Sequence, residues 1–270
     1  MAPRLTLPGA TSSLRPEASW KPCGPRSNWP HTRNRFKPIK TFPDTGLNME
    51  KQHFIPHPEP DATNLLLIRH GATPPNEQRP YILQGCGINP SLSESGQKQA
   101  QALATFLAEN CSINHIYSSP MIRAKETAQA VCAHFKLTPQ EVAEIHECDV
   151  GLWEGKSWDI IEQESPAAYK AFMDDPYRNR YEGGESYGDV FNRCEPALQS
   201  LLERHTGETI AVVAHNVINR VYLASLLGLP IEKAKDIKQN NTGINIIRHH
   251  AGETKVVTMN AIFHLSGVPH

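Results

Sequence analysis

The chain has 270 residues, of which 20% are charged and 39% hydrophobic, and this composition is ordinary for a protein that buries a core. Its 27 basic and 28 acidic residues give a net charge of −1, which argues against a protein built to coat nucleic acid. The sequence shows no apolar run near the roughly 20 residues that span a bilayer and no signal-peptide pattern. The six cysteines form no CxxC pair, so we expect reduced thiols in the cytoplasm rather than a zinc ribbon or a redox motif.

The charge is unevenly divided along the chain. Residues 1–48 carry a net charge of +6 and residues 49–270 a net charge of −7, while 11 of the 22 prolines fall in residues 1–60. Because large aliphatic residues are few there, the pattern predicts a disordered leader over residues 1–60 and a folded domain over 61–270. The leader could be a transit peptide, a basic arm for a polyanion, or sequence upstream of a working start at Met49. The prolines disfavour an amphipathic transit helix, so the last interpretation is preferred.

Strands and helices alternate through the folded region. The runs at 64–68 and 209–214 are continuously apolar, which is typical of strands buried on both faces. This alternation predicts a three-layer α/β/α sandwich with a largely parallel central sheet. The other predicted elements are a strand at 113–117, helices at 93–110, 123–135, 186–204 and 219–227, and a terminal hairpin with strands at 244–248 and 255–259.

Both buried strands end in a histidine. Arg69, His70 and Gly71 follow the first strand, and His215 follows the second. A single histidine in such a place is more often structural, but two at equivalent ends suggest a site, because open α/β sheets bind ligands at the carboxyl ends of their strands. A neutral imidazole is a good nucleophile towards phosphorus, and guanidinium groups bind phosphoryl oxygens. The sequence offers no DxD, HExxH or GKS motif, so neither a metal nor another cofactor is predicted.

Six short motifs follow one another between residues 64 and 260. They are LLLIRHGAT from Leu65, QG at Gln84 with NPSLS and GQKQA after it, SSP from Ser118 with RAKETA from Arg123, ECDVGLWEG from Glu147, GGES from Gly183, and VVAHNVINR from Val212. In this order they resemble the signatures of the histidine phosphatase superfamily, and the resemblance implies a phosphoglycerate-mutase-like fold.

The resemblance implies a catalytic role for five residues. His70 is expected to be the nucleophile that becomes phosphohistidine, within a phosphate pocket formed by Arg69, Arg123 and His215. Glu147 is expected to protonate the leaving alkoxide and then to help activate water. The general chemistry agrees with these roles, because arginines suit the charge that develops on phosphoryl oxygens and a carboxylic acid can protonate an alkoxide.

Other positions are less firmly indicated. Asp149 is the second candidate for the acid, and Trp153 is expected to pack rather than react. The chain also departs from the family pattern, since Asn89 stands where aspartate is usual, and the HN form followed by INR resembles a phosphatase branch from cyanobacteria and plants. The resemblance further implies four substrate or phosphate contacts, at Asn76, Gln84, Gly85 and Asn216.

The spacing of the two histidines bears on the choice between hydrolase and mutase. His70 and His215 are 145 residues apart, which resembles the shorter phosphatase branch, and little chain follows the last hairpin to form a lid. We therefore predict a metal-independent phosphoric monoester hydrolase for a small phosphorylated metabolite such as phosphoserine, a sugar phosphate, a phosphoglycerate or α-ribazole phosphate. The alternatives are a phosphoglycerate mutase, a fructose-2,6-bisphosphatase-like activity and a catalytically idle phosphate-binding regulator. Neither nucleic acid nor a membrane is an expected partner, and a homodimer is expected by family analogy alone.

Overall fold

The computed structural model describes residue 55 and residues 57–268. The predicted leader lies largely outside these residues. Six strands and seven α-helices are present among the described residues. In chain order they are β1 (Ala62–Arg69), α1 (Pro74–Glu77), α2 (Glu94–Asn110), β2 (His115–Ser118), α3 (Ile122–Phe135), β3 (Gln140–Glu141), α4 (Trp158–Glu164), α5 (Pro166–Asp174), α6 (Tyr187–Arg204), β4 (Thr209–Ala214), α7 (Asn216–Leu226), β5 (Ile244–His250) and β6 (Glu253–Ala261).

The strands form one sheet in the order β3-β2-β4-β1-β5-β6. The first four strands of that order run parallel to one another, and β5 and β6 are antiparallel additions at one edge. Because strand side chains alternate between faces, Leu65 and Leu67 pack in the core beneath α6 and α7, while Leu66 and Ile68 pack against α2 and α3. The predicted three-layer sandwich is therefore confirmed.

Helix starts that depend on local residues lie where the sequence predicts them. Ser93 caps α2, its Oγ accepting a hydrogen bond from the Gly96 amide at 3.1 Å. Ser186 and Asp189 form a reciprocal capping box at the start of α6, so two of the orphan amides at that end are satisfied. None of the described helices is both long and apolar enough to cross a bilayer.

Several features differ from the sequence-based expectation, and among them the short elements α1 and β3 were not predicted. Helix α7 begins at Asn216, three residues earlier than predicted, and the terminal hairpin is longer at both ends. Helices α4 and α5 were not predicted, because seven and nine residues are too few to display a helical period clearly. These two helices help to bury Trp153, which packs edge-on against Phe172 and Tyr181 as expected of a core aromatic.

Candidate active site

The register of the sheet brings the two predicted histidines together. Arg69 at the end of β1 pairs with Ala214 at the end of β4, and the His70 amide donates to the Ala214 carbonyl at 3.1 Å. His70 and His215 therefore leave neighbouring parallel strands side by side, with ring centroids 5.2 Å apart. Both side chains are buried.

One hydrogen bond determines which nitrogen of His70 can react. Nδ1 lies 2.7 Å from the Gly71 carbonyl oxygen, which can only accept, so Nδ1 carries the proton and Nε2 keeps its lone pair. Arg123 Nε donates to that lone pair at 3.2 Å. Burial, followed by the charges of Arg123 and Arg69, holds the pKa of His70 well below its usual value. The imidazole is therefore neutral near pH 7.

Arg123 lies in the first turn of α3 and is almost fully buried. Its Nη2 donates to the Gly85 carbonyl at 2.9 Å and its Nη1 to the Ile88 carbonyl at 3.2 Å, which fixes the plane of the guanidinium group. Burial lowers its pKa to about 10, so the group remains charged at neutral pH. Asn89, one of the departures from the family pattern, accepts from the first amide of α3 with its Oδ1 at 2.9 Å and so helps to hold the start of this helix.

Arg69 and His215 complete the basic end of the site. Arg69 Nη1 donates to the Gln239 carbonyl at 2.8 Å. His215 Nε2 lies 2.7 Å from Ser119 Oγ, and burial, followed by the charge of Arg123, holds its pKa well below the usual value. His215 contacts the ring of His70 but does not line the cavity described below.

Glu147 is held at the amino end of α7. Its carboxylate accepts hydrogen bonds from the Asn216 amide at 3.0 Å, the Cys148 amide at 2.9 Å and the Val217 amide at 3.3 Å. Free amides at a helix start favour an anionic partner, and this distant carboxylate explains why α7 begins without a local cap. Asp149 instead accepts from the Gly151 amide and does not line the cavity.

A cavity of about 340 Å³ opens from these groups. Arg69, His70, Arg123 and Glu147 lie along it, and the four predicted contacts Asn76, Gln84, Gly85 and Asn216 line it as well. Its remaining wall is largely apolar and aromatic, with Leu83, Trp158, Phe172, Met173, Tyr181 and Tyr187 among the lining residues.

The predicted contacts differ in what they offer a ligand. Asn76 Oδ1 accepts from the Thr73 amide at 3.1 Å and from Asn241 Nδ2 at 3.3 Å, so the side-chain nitrogen of Asn76 is the end that can donate to an anion. Gln84 Oε1 accepts from Thr73 at 2.9 Å. Gly85 holds Arg123 through its carbonyl.

Sequence reasoning missed the charged residues in the wall of the cavity. Arg220, Lys235 and Asp236 all line it. Arg220 could have been found, because it ends the VVAHNVINR motif and lies one helical turn after Asn216. Lys235 and Asp236 lie in a short 3₁₀ helix, Ile231–Asp236, for which no motif gave a signal. Among the described residues, the two clusters with ligands spaced for a metal ion, His115 with His205 and Glu208 and Glu59 with Asp61 and His250, contribute no residue to the cavity.

Comparison with known proteins defines the family. The model of the histidine phosphatase superfamily (branch 1) matches residues 65–262. Phosphoserine phosphatase 1 of Hydrogenobacter thermophilus is 30% identical over 201 residues, which are 74% of this chain and 93% of that protein. The metal-independent phosphoserine phosphatase of Arabidopsis thaliana is 32% identical over 217 residues, 78% of this chain and 86% of that protein.

A solved structure agrees with these relatives. A mutant of phosphoserine phosphatase from Entamoeba histolytica, in complex with phosphoserine, matches with a TM-score of 0.68 at 26% identity, covering 75% of this chain and 99% of that one. The chain belongs to the histidine phosphatase superfamily, branch 1. The predictions of a phosphoglycerate-mutase-like fold and of a phosphatase from this superfamily are confirmed.

Proposed function

We propose that the chain hydrolyses phosphomonoesters through a phosphohistidine formed at Nε2 of His70. The observation that carries this proposal is the hydrogen bond from Nδ1 to the Gly71 carbonyl, because it leaves a lone pair on Nε2 beside the guanidinium group of Arg123. A phosphoryl group bound by Arg69 and Arg123 lies within reach of that lone pair. Two positive charges there stabilise the charge that spreads over the phosphoryl oxygens during transfer.

The reaction has two balanced steps. In the first, for which Glu147 must enter as the carboxylic acid, Nε2 of His70 attacks phosphorus, the bond from phosphorus to the ester oxygen breaks, and the Glu147 proton passes to the departing oxygen. In the second, water attacks phosphorus, Glu147 takes a proton from that water, and the bond from phosphorus to nitrogen breaks to release inorganic phosphate. Splitting the displacement in this way replaces one difficult step with two easier ones.

His215 has a supporting role in this scheme. Its lowered pKa keeps it neutral in the free site, so it acts as a hydrogen-bond donor rather than as a resident cation. The Ser119 hydroxyl can donate to Nε2, which leaves the proton on Nδ1, a buried atom without a hydrogen-bond partner among the described residues. We expect this N–H to donate to a phosphoryl oxygen once substrate is bound.

The cavity supports a phosphorylated amino acid as substrate, with phosphoserine the first to test. Arg220 and Lys235 can pair with a carboxylate, and Asp236 with an ammonium group, beyond the phosphate end of the cavity. Relatives named phosphoserine phosphatases support the same choice. We expect kcat/KM to be higher for phosphoserine than for phosphoethanolamine, which lacks the carboxylate, and than for 3-phosphoglycerate, which lacks the ammonium group. Equal values for all three would contradict this substrate class.

The covalent step is tested by trapping. A phosphoramidate is stable to base and labile to acid, so rapid quenching of a reaction with labelled substrate into alkali should leave label on the protein, and acid should release it. His70→Ala should lose both label and turnover, while the exposed His134→Ala, in α3, should retain both. Label that persists in His70→Ala, or that survives acid, would refute the mechanism.

We also propose that residues 61–270 form the functional domain, that it works in the cytoplasm and that it forms a homodimer. The cysteines among the described residues are free, which supports a reducing compartment. Strand β6 lies at the edge of the sheet, and Val257 and Met259 on it are exposed apolar side chains, which supports pairing of two copies there. If residues 1–48 do not contribute to the domain, a chain beginning at Met49 should keep its melting temperature and turnover. If the protein is a homodimer, light scattering after gel filtration should give twice the monomer mass.

A further inference from the structure

A cluster of three metal-ligating side chains lies at the end of the sheet opposite the candidate active site. His205 follows α6, Glu208 immediately precedes β4, and His115 begins β2. Glu208 Oε2 lies 2.7 Å from His205 Nδ1 and 3.3 Å from His115 Nε2. The two imidazole rings are also adjacent, with centroids 4.4 Å apart.

The geometry of this cluster suits a zinc-like cation. The three ligand atoms all lie within 4.8 Å of one another. A tetrahedral ion with bonds of about 2.0–2.2 Å requires ligand atoms roughly 3.3 Å apart, so small side-chain movements are enough to coordinate it. Two imidazoles and one carboxylate form a donor set that zinc uses widely, and water can supply the fourth ligand.

The surroundings of the cluster hold its ligands in place. Tyr117 OH lies 2.8 Å from His205 Nε2, so the other nitrogen of that ring, Nδ1, faces Glu208. Ligating histidines are commonly oriented by a hydrogen bond of this kind on the second nitrogen. The Glu208 amide donates to the His205 carbonyl at 3.0 Å and closes the turn that carries both ligands.

The cluster is accessible to an ion. His205 is buried, but the side chains of His115 and Glu208 are 36% and 35% exposed. In addition, the six residues of β4 separate Glu208 from His215, which corresponds to about 20 Å of strand. An ion at the cluster therefore links α6 to β2 and β4 without touching the phosphate chemistry.

We propose that His115, His205 and Glu208 bind one zinc-like divalent cation that stabilises the fold. The test uses the full chain, treated with EDTA and then freed of chelator. Titration with Zn²⁺ in a calorimeter should reveal one tight site that raises the melting temperature, and Co²⁺ should show the intense visible bands of tetrahedral coordination. His115→Ala and Glu208→Gln should each weaken Zn²⁺ binding at least tenfold and remove the Co²⁺ bands.

The second cluster supplies a matched control. His250 lies beside Asp61 and Glu59 in an exposed group of three ligands, so His250→Ala removes one imidazole from a similar surface and should leave the tight site intact. Unfolding of each metal-free variant, followed by circular dichroism, shows that it is folded before titration. Absence of tight binding to the wild-type chain, or unchanged affinity in His115→Ala, would overturn the proposal.

Discussion

Glu147 is oriented by three backbone amides, one from its neighbour Cys148 and two from the distant start of α7. If it protonates the leaving group, Glu147→Gln should lower kcat for phosphoserine by about 10²–10⁴-fold. The same change should affect p-nitrophenyl phosphate much less, because a phenolate departs without full protonation. Stopped-flow and steady-state assays on the two substrates measure this difference.

Asp149→Asn is the matched control for that experiment, because Asp149 is two residues away but only supports the turn at Gly151. It should change kcat for both substrates by a similar, smaller factor. Equal losses for both substrates in Glu147→Gln would instead indicate a role in binding.

Site residues could be predicted where the residues next to them in the sequence indicate their position in the fold. His70 and His215 each follow a continuously apolar strand, so their meeting at one edge of the sheet follows from parallel pairing. Glu147 was chosen over Asp149 by motif spacing alone, and the contacts that distinguish them come from α7, about 70 residues later. The charges of Lys235 and Asp236 were missed because no local pattern relates them to the cavity.

Among the elements, α2 packs closely against the segment that carries His70. A Cβ built on Gly96 would lie 1.9 Å from the Ala72 carbonyl oxygen, and one on Gly71 would lie 2.7 Å from the Gly96 carbonyl oxygen. Gly96→Ala must therefore move the helix or the segment, and we expect a loss of about 1–3 kcal/mol of unfolding free energy with a fall in turnover. Urea unfolding and phosphatase assays on the same preparation measure both effects.

Ser186→Ala is the control variant, because it lowers stability without moving the segment that carries His70. It removes the cap of α6 and should cost about 1 kcal/mol, while turnover at 25 °C should remain near the wild-type value. If Gly96→Ala also kept full turnover, the contact with Ala72 would have no bearing on the catalytic geometry.

The helices show where sequence reasoning works at the scale of elements. Starts of α2 and α6 were predictable because Ser93 and Ser186 supply caps from the chain itself. The predicted start of α7 was three residues too late because the first amides of the helix are bound by Glu147. Helix propensity depends on the local sequence and does not account for such a long-range contact. Helices α4 and α5 are short and depend on packing around Trp153, Trp158 and Phe172, which only the folded chain provides.

For the whole molecule, the two buried histidines make stability depend on pH. The pKa values of His70 and His215 are held well below 6.5 in the folded chain, whereas both return to about 6.5 on unfolding. Below that pH the unfolded chain takes up protons that the folded chain does not. The unfolding free energy should therefore fall as the pH drops, by up to about 2.7 kcal/mol per pH unit.

Urea unfolding at about pH 7.5, 6.5 and 5.5 measures this slope. His215→Asn removes one of the two groups and should reduce the slope to about half. If the unfolding free energy of the wild-type chain does not change over this pH range, His70 and His215 take up protons as readily in the folded chain as in the unfolded chain, which would contradict the prediction.

Metal removal separates catalysis from stability in the whole chain. The clusters with metal-ligand spacing among the described residues contribute no residue to the cavity, so phosphate release should continue in EDTA. The melting temperature should fall in the same buffer if the cluster at His115 is loaded. Loss of turnover in EDTA that Mg²⁺ or Zn²⁺ restores would contradict the histidine mechanism.

The cavity is lined by two parts of the chain that the fold constrains in different ways. Its phosphate end is built at the ends of β1 and β4, where the core of the sheet determines each position, whereas much of its aromatic wall comes from the segment around α4 and α5. We therefore expect that evolution can exchange substrates by altering that segment while the chemistry is inherited unchanged. Trp158, Phe172 and Met173 are then the positions at which to begin when redirecting the enzyme towards a new phosphate ester.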